Sequence, residues 1–322
     1  MKISMQKNLP SIIQNATNIL LHLHPKPDPD SIGSALATYH AMKGLGKNVT
    51  IMQGDSILPL SFSFLPGYDV IVKNDYFDID LSQFDLFIIQ DSGSKQLVSR
   101  KGEVIFPPHL KTLVIDHHKT NVGYGDENLI DISYAATAEY LYNLFVLWEI
   151  DITPEIAACL YIGIYGDTGG FRYPSTTPQT MRIVSKLAEI YPDFTKLSYE
   201  LENNNTPGKI AFDALALGNV EVHGSVALSA VSFDEMQKRG ITREDSDSNV
   251  ISNAFISVKG WNVGVTLIEK APHEISISFR SKDGTDVSAI AEKIGGGGHK
   301  PAAGALLLIP LEEAKKKVLE AI

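Results

Sequence analysis

Short apolar runs alternate with stretches of helical periodicity through the first half of the chain. The runs rich in Ile, Leu, Val and Phe are typical of strands buried on both faces, and they span residues 18–24, 49–53, 85–91 and 112–118. Amphipathic or uniformly apolar stretches predict helices at residues 31–47, 136–149, 154–165 and 177–191, the first with Ser31 as its N-cap. This βαβ succession predicts an α/β fold with a mainly parallel, doubly wound sheet.

The pattern changes after residue 191. Pro192, the three consecutive asparagines at 203–205 and Pro207-Gly208 are typical of a hinge. Beyond them, strands are expected at 225–233, 262–270, 274–282 and 305–310, with helices at 286–293 and 311–322. We therefore predict a first domain at 1–191, a linker at 192–212 and a smaller C-terminal α+β domain at 213–322.

Composition narrows the class of protein. A chain of 322 residues is long enough for two domains, and its formal net charge of −10 favours a small phosphate substrate over long nucleic acid. The single cysteine, Cys159, excludes an intrachain disulfide. The amino-terminal residues contain no apolar h-region and no stretch approaches 18 apolar residues, so we expect a cytoplasmic protein without signal peptide or membrane span.

Three of the predicted strands end in metal-type ligands: His24, Asp91 and the pair Asp116-His117. The carboxyl ends of parallel strands meet in one crevice, so these clusters are expected to converge. Imidazole and carboxylate suit divalent transition-metal ions, and two such ions can cleave phosphate esters. Asp28 and Asp30 have the alternative role of capping the helix at 31–47. Asp91 and Asp167 have the alternative role of turn residues, and only the convergence favours ligation.

Five motifs occur in a fixed order: HPKPDPDSIGS (24–34), the strand-ending Asp91, Asp116-His117-His118, Asp167 in YGDTGGF, and GGGGHKPAAG (295–304). Together they closely resemble the DHH phosphoesterase family with an accessory DHHA1 domain, over roughly residues 15–310. The likeness is greatest to its short stand-alone members, the NrnA-like oligoribonuclease and pAp phosphatase group. The resemblance implies one Mn²⁺ held by His24, Asp28 and Asp91. It implies a second held by Asp30, Asp91, His117 and Asp167, with Asp91 bridging.

The resemblance also implies roles for the catalytic and substrate-binding residues. His118 would face the substrate phosphate, and Asp116 would orient His117 or touch the metals. Arg280 and His299 match the family's substrate-binding positions, and Gly296, Gly297 and Gly298 would form an anion-binding nest. Family members with a larger residue at the position of Gly170 gain a phosphate contact there, which Arg172 or a second-domain residue would supply here. Ser252 and Asn253 would assist.

The function expected is a Mn²⁺-dependent two-metal phosphoesterase, with Mg²⁺ or Co²⁺ as alternative ions. Its partners would be short oligoribonucleotides, linear dinucleotides and 3′,5′-bisphosphate nucleotides such as pAp, with no membrane and no long duplex, and a homodimer is the default expectation. Three alternatives stay open: a soluble cyclic di-AMP phosphodiesterase, a RecJ-like single-strand exonuclease, and a non-enzymatic nucleotide sensor. An inorganic pyrophosphatase shares the metal motifs but has a different second domain.

Overall fold

The computed structural model describes residues 8–282 and 284–322, without the side chain of Asn249. The chain divides into two compact units, the first ending at Asn204 and the second beginning at Asn205. The stretch 192–212, predicted as a linker, contains all of one helix of the first unit and the start of one helix of the second. The prediction of an α/β fold with a smaller second unit is confirmed.

The first unit is built on six parallel strands in the order β3-β2-β1-β4-β5-β6. They are β1 (Asn18–His22), β2 (Asn48–Met52), β3 (Ile71–Val72), β4 (Leu86–Gln90), β5 (Lys111–Asp116) and β6 (Glu127–Ile130). The order reverses between β1 and β4, and such a switch point opens a crevice at the carboxyl ends of the strands. The sequence patterns predicted β1, β2, β4 and β5, and missed β3 and β6.

Six α-helices lie in the described part of the first unit. They are α1 (Ser11–Gln14), α2 (Pro29–Gly44), α3 (Thr137–Leu147), α4 (Pro154–Asp167), α5 (Pro178–Ile190) and α6 (Phe194–Glu202). Asp28, Thr153 and Thr177 cap α2, α4 and α5, each followed by proline in the first turn. The N-cap of α2 is therefore Asp28, and the expectation of Ser31 is wrong because the helix begins two residues before it.

The two faces of this sheet are covered differently. One face packs against α2, α3, α4 and α5 through a large cluster that includes Leu21, Ile88 and Phe145. The other face, with Leu20 and Phe87, is covered by residues 73–85 and 91–110, which contain short 3₁₀ turns. Continuous apolar strands thus reflect burial on both faces, although one covering layer is not α-helical.

Glycines let α2 and α4 approach closely. A Cβ on Gly33 would lie 2.5 Å from the carbonyl oxygen of Cys159, and one on Gly163 would lie 2.9 Å from Oδ1 of Asp30. Only residues without a side chain allow backbones this near. The contact brings Asp30, in the first turn of α2, to the end of α4 where Asp167 lies.

The second unit is a mixed six-stranded sheet in the order β11-β12-β10-β9-β8-β7, in which β8 and β9 are parallel and the other pairs antiparallel. Its strands are β7 (Val220–His223), β8 (Val226–Val231), β9 (Val263–Ala271), β10 (Glu274–Ser281), β11 (Gly297–His299) and β12 (Ala302–Leu308). Its helices are α7 (Pro207–Gly218), α8 (Phe233–Lys238), α9 (Ser248–Ser257), α10 (Val287–Lys293) and α11 (Leu311–Ala321). Part of the predicted glycine loop is therefore strand.

Among the described residues, no helix combines the length and apolar character that crossing a bilayer requires. Residues 1–7, to which the expectation about a leader segment partly refers, lie outside the described part of the chain.

Replacing Gly163 tests the α2–α4 contact. A Gly163→Ala Cβ would lie 2.5 Å from Cβ of Ala138 and 2.9 Å from Asp30, so we expect a loss of about 1–3 kcal/mol in the free energy of unfolding, measured in urea. The control is Gly44→Ala, where a Cβ meets nothing within 4 Å. Equal stability of the two variants would contradict the close contact.

Candidate metal centre

Side chains from four places in the first unit converge beyond the carboxyl ends of its strands. They follow β1 (His24, Asp28, Asp30), β4 (Asp91) and β5 (His117, His118), and Asp167 ends α4. Three groups bring one ligand atom per residue within 4.8 Å of one another: His24, Asp28 and Asp91; Asp30, His117 and Asp167; and Asp91, His117 and His118. All seven predicted residues therefore lie together.

Asp91 is common to both sides of the centre. One of its oxygens, Oδ2, lies 3.5 Å from Nε2 of His24, and the other, Oδ1, lies 3.7 Å from Nε2 of His117. The residue is 1 % exposed and has a left-handed backbone with φ of 50°. Non-glycine residues rarely adopt this conformation, and buried Asp side chains are rare unless paired or metal-bound.

The first side of the centre is formed by His24 and Asp28. Nε2 of His24 lies 3.5 Å from Oδ2 of Asp28. The other ring nitrogen, Nδ1, is 3.1 Å from the carbonyl oxygen of Pro25. A carbonyl oxygen only accepts, so Nδ1 carries a hydrogen, and Nε2, which faces the carboxylates, is the nitrogen that can bind an ion once it has lost its proton.

The second side is formed around His117. Its Nε2 lies 3.2 Å from Oδ2 of Asp167 and 3.9 Å from Oδ2 of Asp30, yet it is buried without a hydrogen-bond partner. Its Nδ1 donates to the carbonyl oxygen of Tyr134 at 3.2 Å. Such a carbonyl partner is typical of metal-ligating imidazoles, because it directs the opposite nitrogen at the ion.

Both aspartates of the HPKPDPD segment cap helices while facing the centre. Oδ1 of Asp28 accepts from the backbone N–H of Ser31 at 2.9 Å, which caps α2. Asp30 accepts from the backbone N–H groups of Thr137 and Ala138 at 2.7 and 2.9 Å, which caps α3. The alternative that Asp28 caps α2 is thus correct for its Oδ1, while its Oδ2 faces the centre. Asp30 caps α3 and not the helix that contains it.

The electrostatics of the centre favour bound cations. Burial and the charges of Asp91 and Asp167 raise the pKa of Asp30 well above its usual range. Burial alone would lower the pKa of the two imidazoles, but hydrogen bonds to Asp28 and Asp91 raise that of His24 to about 11, and Asp167 raises that of His117 to about 10. Divalent ions would neutralise the same crowded carboxylates and displace these protons. The donor set of carboxylates and imidazoles fits manganese, magnesium or related ions.

His118 and Asp116 form a separate pair at the rim. Oδ1 of Asp116 lies 2.8 Å from Nδ1 of His118, and Oδ2 accepts from the Asn121 side chain at 2.6 Å. Oδ1 also accepts from the backbone N–H groups of His117 and His118. Asp116 therefore orients His118, whereas the ring of His117 is held by Tyr134. The side chain of His118 is 43 % exposed, and its bond to Asp116 raises its pKa.

In the second unit, Arg280 and His299 flank one residue of the sheet. Arg280 on β10 and His299 on β11 are both paired with Ala302 on the intervening β12. Residues paired across strands share a face, so these two lie on one side of the sheet with backbones roughly 10 Å apart. Arg280 is half-buried and donates from Nη1 to the carbonyl oxygen of Phe279, and His299 is exposed.

The remaining residues predicted to bind substrate differ in their exposure to solvent. Asn253 is exposed on α9, and Arg172 is exposed with Nε donating to the carbonyl oxygen of Gly169. Gly296, Gly297 and Gly298 run into and along β11. Ser252 is fully buried, and its hydroxyl bonds Ser248, Thr266 and the backbone of Ser278. The expectation that Ser252 contacts substrate is corrected accordingly, because its hydroxyl holds α9 against the sheet.

Two residues of the centre were missed by the sequence reasoning. Thr137 donates its backbone N–H to Asp30 and its hydroxyl to Asp91, the latter at 3.2 Å. Asn121 joins Asp116 to the carbonyl oxygen of Ser92 at 3.2 Å. In the sequence, Thr137 is distinguished only by its place near the start of a predicted helix. Asn121 is distinguished only by its place three residues after the Asp116-His117-His118 motif.

Comparison with known proteins agrees with this geometry. The N-terminal domain of the DHH family matches residues 18–164, and the DHHA1 domain matches residues 225–322. The chain is 33% identical over 308 residues to the bifunctional oligoribonuclease and PAP phosphatase NrnA of Thermus thermophilus, covering 94% of this chain and 89% of that relative. The chain belongs to the DHH family. The expectation of a phosphoesterase is thereby confirmed.

Two further relatives span nearly the whole chain. The NrnA of Bacillus subtilis, with the same bifunctional name, is 27% identical over 307 residues, covering 94% of this chain and 93% of that protein. The crystal structure of an exopolyphosphatase-related protein from Bacteroides fragilis has a TM-score of 0.88 at 25% identity, covering 96% of this chain and 93% of that one. The similarity to known proteins therefore extends over both units.

Removing the charge of Asp116 tests the pairing with His118. In the metal-free protein, Asp116→Asn should lower the pKa of His118, because the hydrogen bond to the charged carboxylate raises it. Histidine ring shifts in an NMR titration measure this directly. Asp126→Asn is the control, since Asp126 accepts instead from Thr112. An unchanged His118 pKa in Asp116→Asn would contradict the assignment.

Proposed function

We propose that this chain is a two-metal phosphoesterase that hydrolyses short oligoribonucleotides and 3′,5′-bisphosphate nucleotides. The observation that carries the proposal is the position of Asp91, whose two oxygens face two different imidazoles. A carboxylate in that position can bridge two divalent ions, and paired ions are the usual means of phosphate ester hydrolysis.

His24, Asp28 and Asp91 would hold one ion, and Asp30, Asp91, His117 and Asp167 the other. Bound Mn²⁺ ions, with Mg²⁺ or Co²⁺ as alternatives, would supply an activated water and positive charge for the phosphate oxygens. The environment of Nε2 of His117 supports this assignment, because this buried nitrogen faces carboxylates of Asp30, Asp91 and Asp167 without an aligned hydrogen bond.

His118 has the properties of a phosphate-binding and proton-donating group. Asp116 fixes its Nδ1 and favours the protonated ring, which leaves Nε2–H for a substrate oxygen. The ring is accessible enough to contact a ligand. We assign it to the phosphate oxygens and to protonation of the leaving oxygen, and we assign Asp116 to holding the ring in place.

We assign substrate binding to the second unit. Arg280 and His299 share one sheet face, and the neighbouring Gly298 approaches β12 so closely that a Cβ would lie 2.5 Å from Cα of Ala303. An arginine beside a glycine-rich edge strand can form an anion-binding surface. The relatives named as oligoribonucleases and PAP phosphatases, together with the net charge of −10, support short nucleotides as the ligand.

Hydrolysis rate against substrate length tests the substrate class. With Mn²⁺ present, we expect the rate to be greatest for two to four nucleotides, to extend to pAp, and to fall for long strands. Asp91→Ala should abolish it by losing the shared ligand, whereas the exposed Asp151→Ala should retain it.

Each other outcome of the length series identifies a different function. A rate that rises with length would indicate a RecJ-like exonuclease. Preference for cyclic di-AMP would indicate a cyclic dinucleotide phosphodiesterase. Metal binding without hydrolysis of any substrate would indicate a sensor.

Removing Arg280 tests the role of the second unit. Arg280→Ala should raise KM for a dinucleotide about 10- to 100-fold with kcat nearly unchanged, because a lost charged hydrogen bond weakens substrate binding without altering the metal centre. The matched control is Arg239→Ala, an exposed arginine at the end of α8. A fall in kcat at constant KM would contradict this assignment.

A further inference from the structure

We propose that Ser92 and Tyr124 are positioning residues that hold the backbone of Asp91 in its left-handed conformation. His22 and Asn121 complete the same network. This inference rests on the proposed function, because it concerns how Asp91 serves two metal ions at once. These residues act through the chain on either side of Asp91, since their bonds end on the backbone at Gln90 and on Ser92 rather than on the Asp91 carboxylate.

Asp91 needs such support because its conformation is unfavourable. Its φ of 50° lies in the region that residues with a Cβ avoid, and strained residues persist only where the surroundings over-determine them. The pairing of β4 with β5 continues to Asp91, whose backbone N–H donates to the carbonyl oxygen of Ile115 at 3.1 Å. The turn at Asp91 is what directs the carboxylate out of the sheet and toward His24 and His117.

The Ser92 hydroxyl closes the turn from one side. Its Oγ donates to the carbonyl oxygen of Gln90 at 3.0 Å, so a single hydrogen bond spans Asp91. The single hydrogen of the Ser92 hydroxyl is used in this bond. Nε2 of His22, which lies 3.4 Å from Oγ of Ser92, is therefore the donor in the contact between these two side chains. Ser92 and His22 are 1 % and 2 % exposed, so both side chains lie away from bulk solvent.

The carbonyl oxygen of Ser92 is held from the other side. It accepts from the hydroxyl of Tyr124 at 2.7 Å and from the side-chain amide of Asn121 at 3.2 Å. Asn121 also donates to Asp116, which in turn holds His118. The network therefore links the turn that carries the bridging ligand to the residue assigned to the substrate phosphate.

The consequence is a coupled effect on both ions. Releasing Ser92 on either side lets the turn relax, and the carboxylate then loses its orientation toward both imidazoles together. Groups outside the immediate ligand set typically contribute about 10- to 100-fold to metal affinity or activity. Substrate contacts made by the second unit are untouched, so KM should stay nearly constant while kcat falls.

The experiment is calorimetric titration of Mn²⁺ into metal-free wild type, Ser92→Ala and Tyr124→Phe, with kcat and KM for a dinucleotide and the thermal midpoint of each. We expect Mn²⁺ affinity and kcat to fall at least about tenfold in both variants. Ser229→Ala is the matched control, because that serine is fully buried and its hydroxyl also donates to a backbone carbonyl, at Ala216. It should lose thermal stability without losing metal affinity.

Two comparisons separate positioning from general stability. Ser92→Thr keeps the hydroxyl and should recover affinity, and Tyr124→Phe keeps the ring, so it reports on the bond alone even if Ser92→Ala does not fold. Wild-type affinity and kcat in Tyr124→Phe and Ser92→Ala would overturn the positioning role alone. Failure of wild type to bind Mn²⁺ would overturn it together with the proposed function, and binding without hydrolysis in wild type would overturn only the function.

Discussion

The Asp91 carboxylate is buried between His24 and His117, and the geometry of the candidate metal centre depends on its position. Three features of the first unit determine that position. The reversal of strand order places β1 beside β4, so that the residues after both strands open into one crevice. A left-handed turn then presents the carboxylate, and β5 supplies the second imidazole. The proposed two-metal hydrolysis requires the adjacent strands, the turn at Asp91 and the imidazole after β5 to be in these relative positions.

The carboxylates of two aspartates both stabilise the fold and form part of the metal centre. Asp28 caps a helix with one carboxylate oxygen and Asp30 caps another with both, and each presents charge to the centre at the same time. A helix amino terminus stabilises a buried carboxylate, which reduces the cost of holding charge in the interior. The close approach of α2 to α4 at Gly163 sets the distance between Asp30 and Asp167. Substitutions that alter helix packing should therefore reach the site without touching a ligand.

The sequence predicted what depends on local pattern and missed what depends on tertiary contact. β1, β4 and β5 were evident because strands buried on both faces are continuously apolar, whereas β3 has two residues and β6 is half-buried throughout. Residues 207–212 at the start of α7 were placed in the predicted linker, although Thr206 and Pro207 form the same cap–proline start as three predicted helices. The candidate metal ligands could be predicted from the sequence because histidines and aspartates directly follow the apolar strands. Thr137 and the burial of Ser252 could not be found, since their partners are distant in sequence or hidden in the core.

Anomalous diffraction from crystals grown with Mn²⁺ would show whether one carboxylate serves two metal ions. We expect two anomalous peaks separated by about 3.5–4 Å, with Asp91 between them. His24 and Asp28 should bound one peak, and Asp30, His117 and Asp167 the other. A single peak, or two peaks that do not share Asp91, would contradict this arrangement.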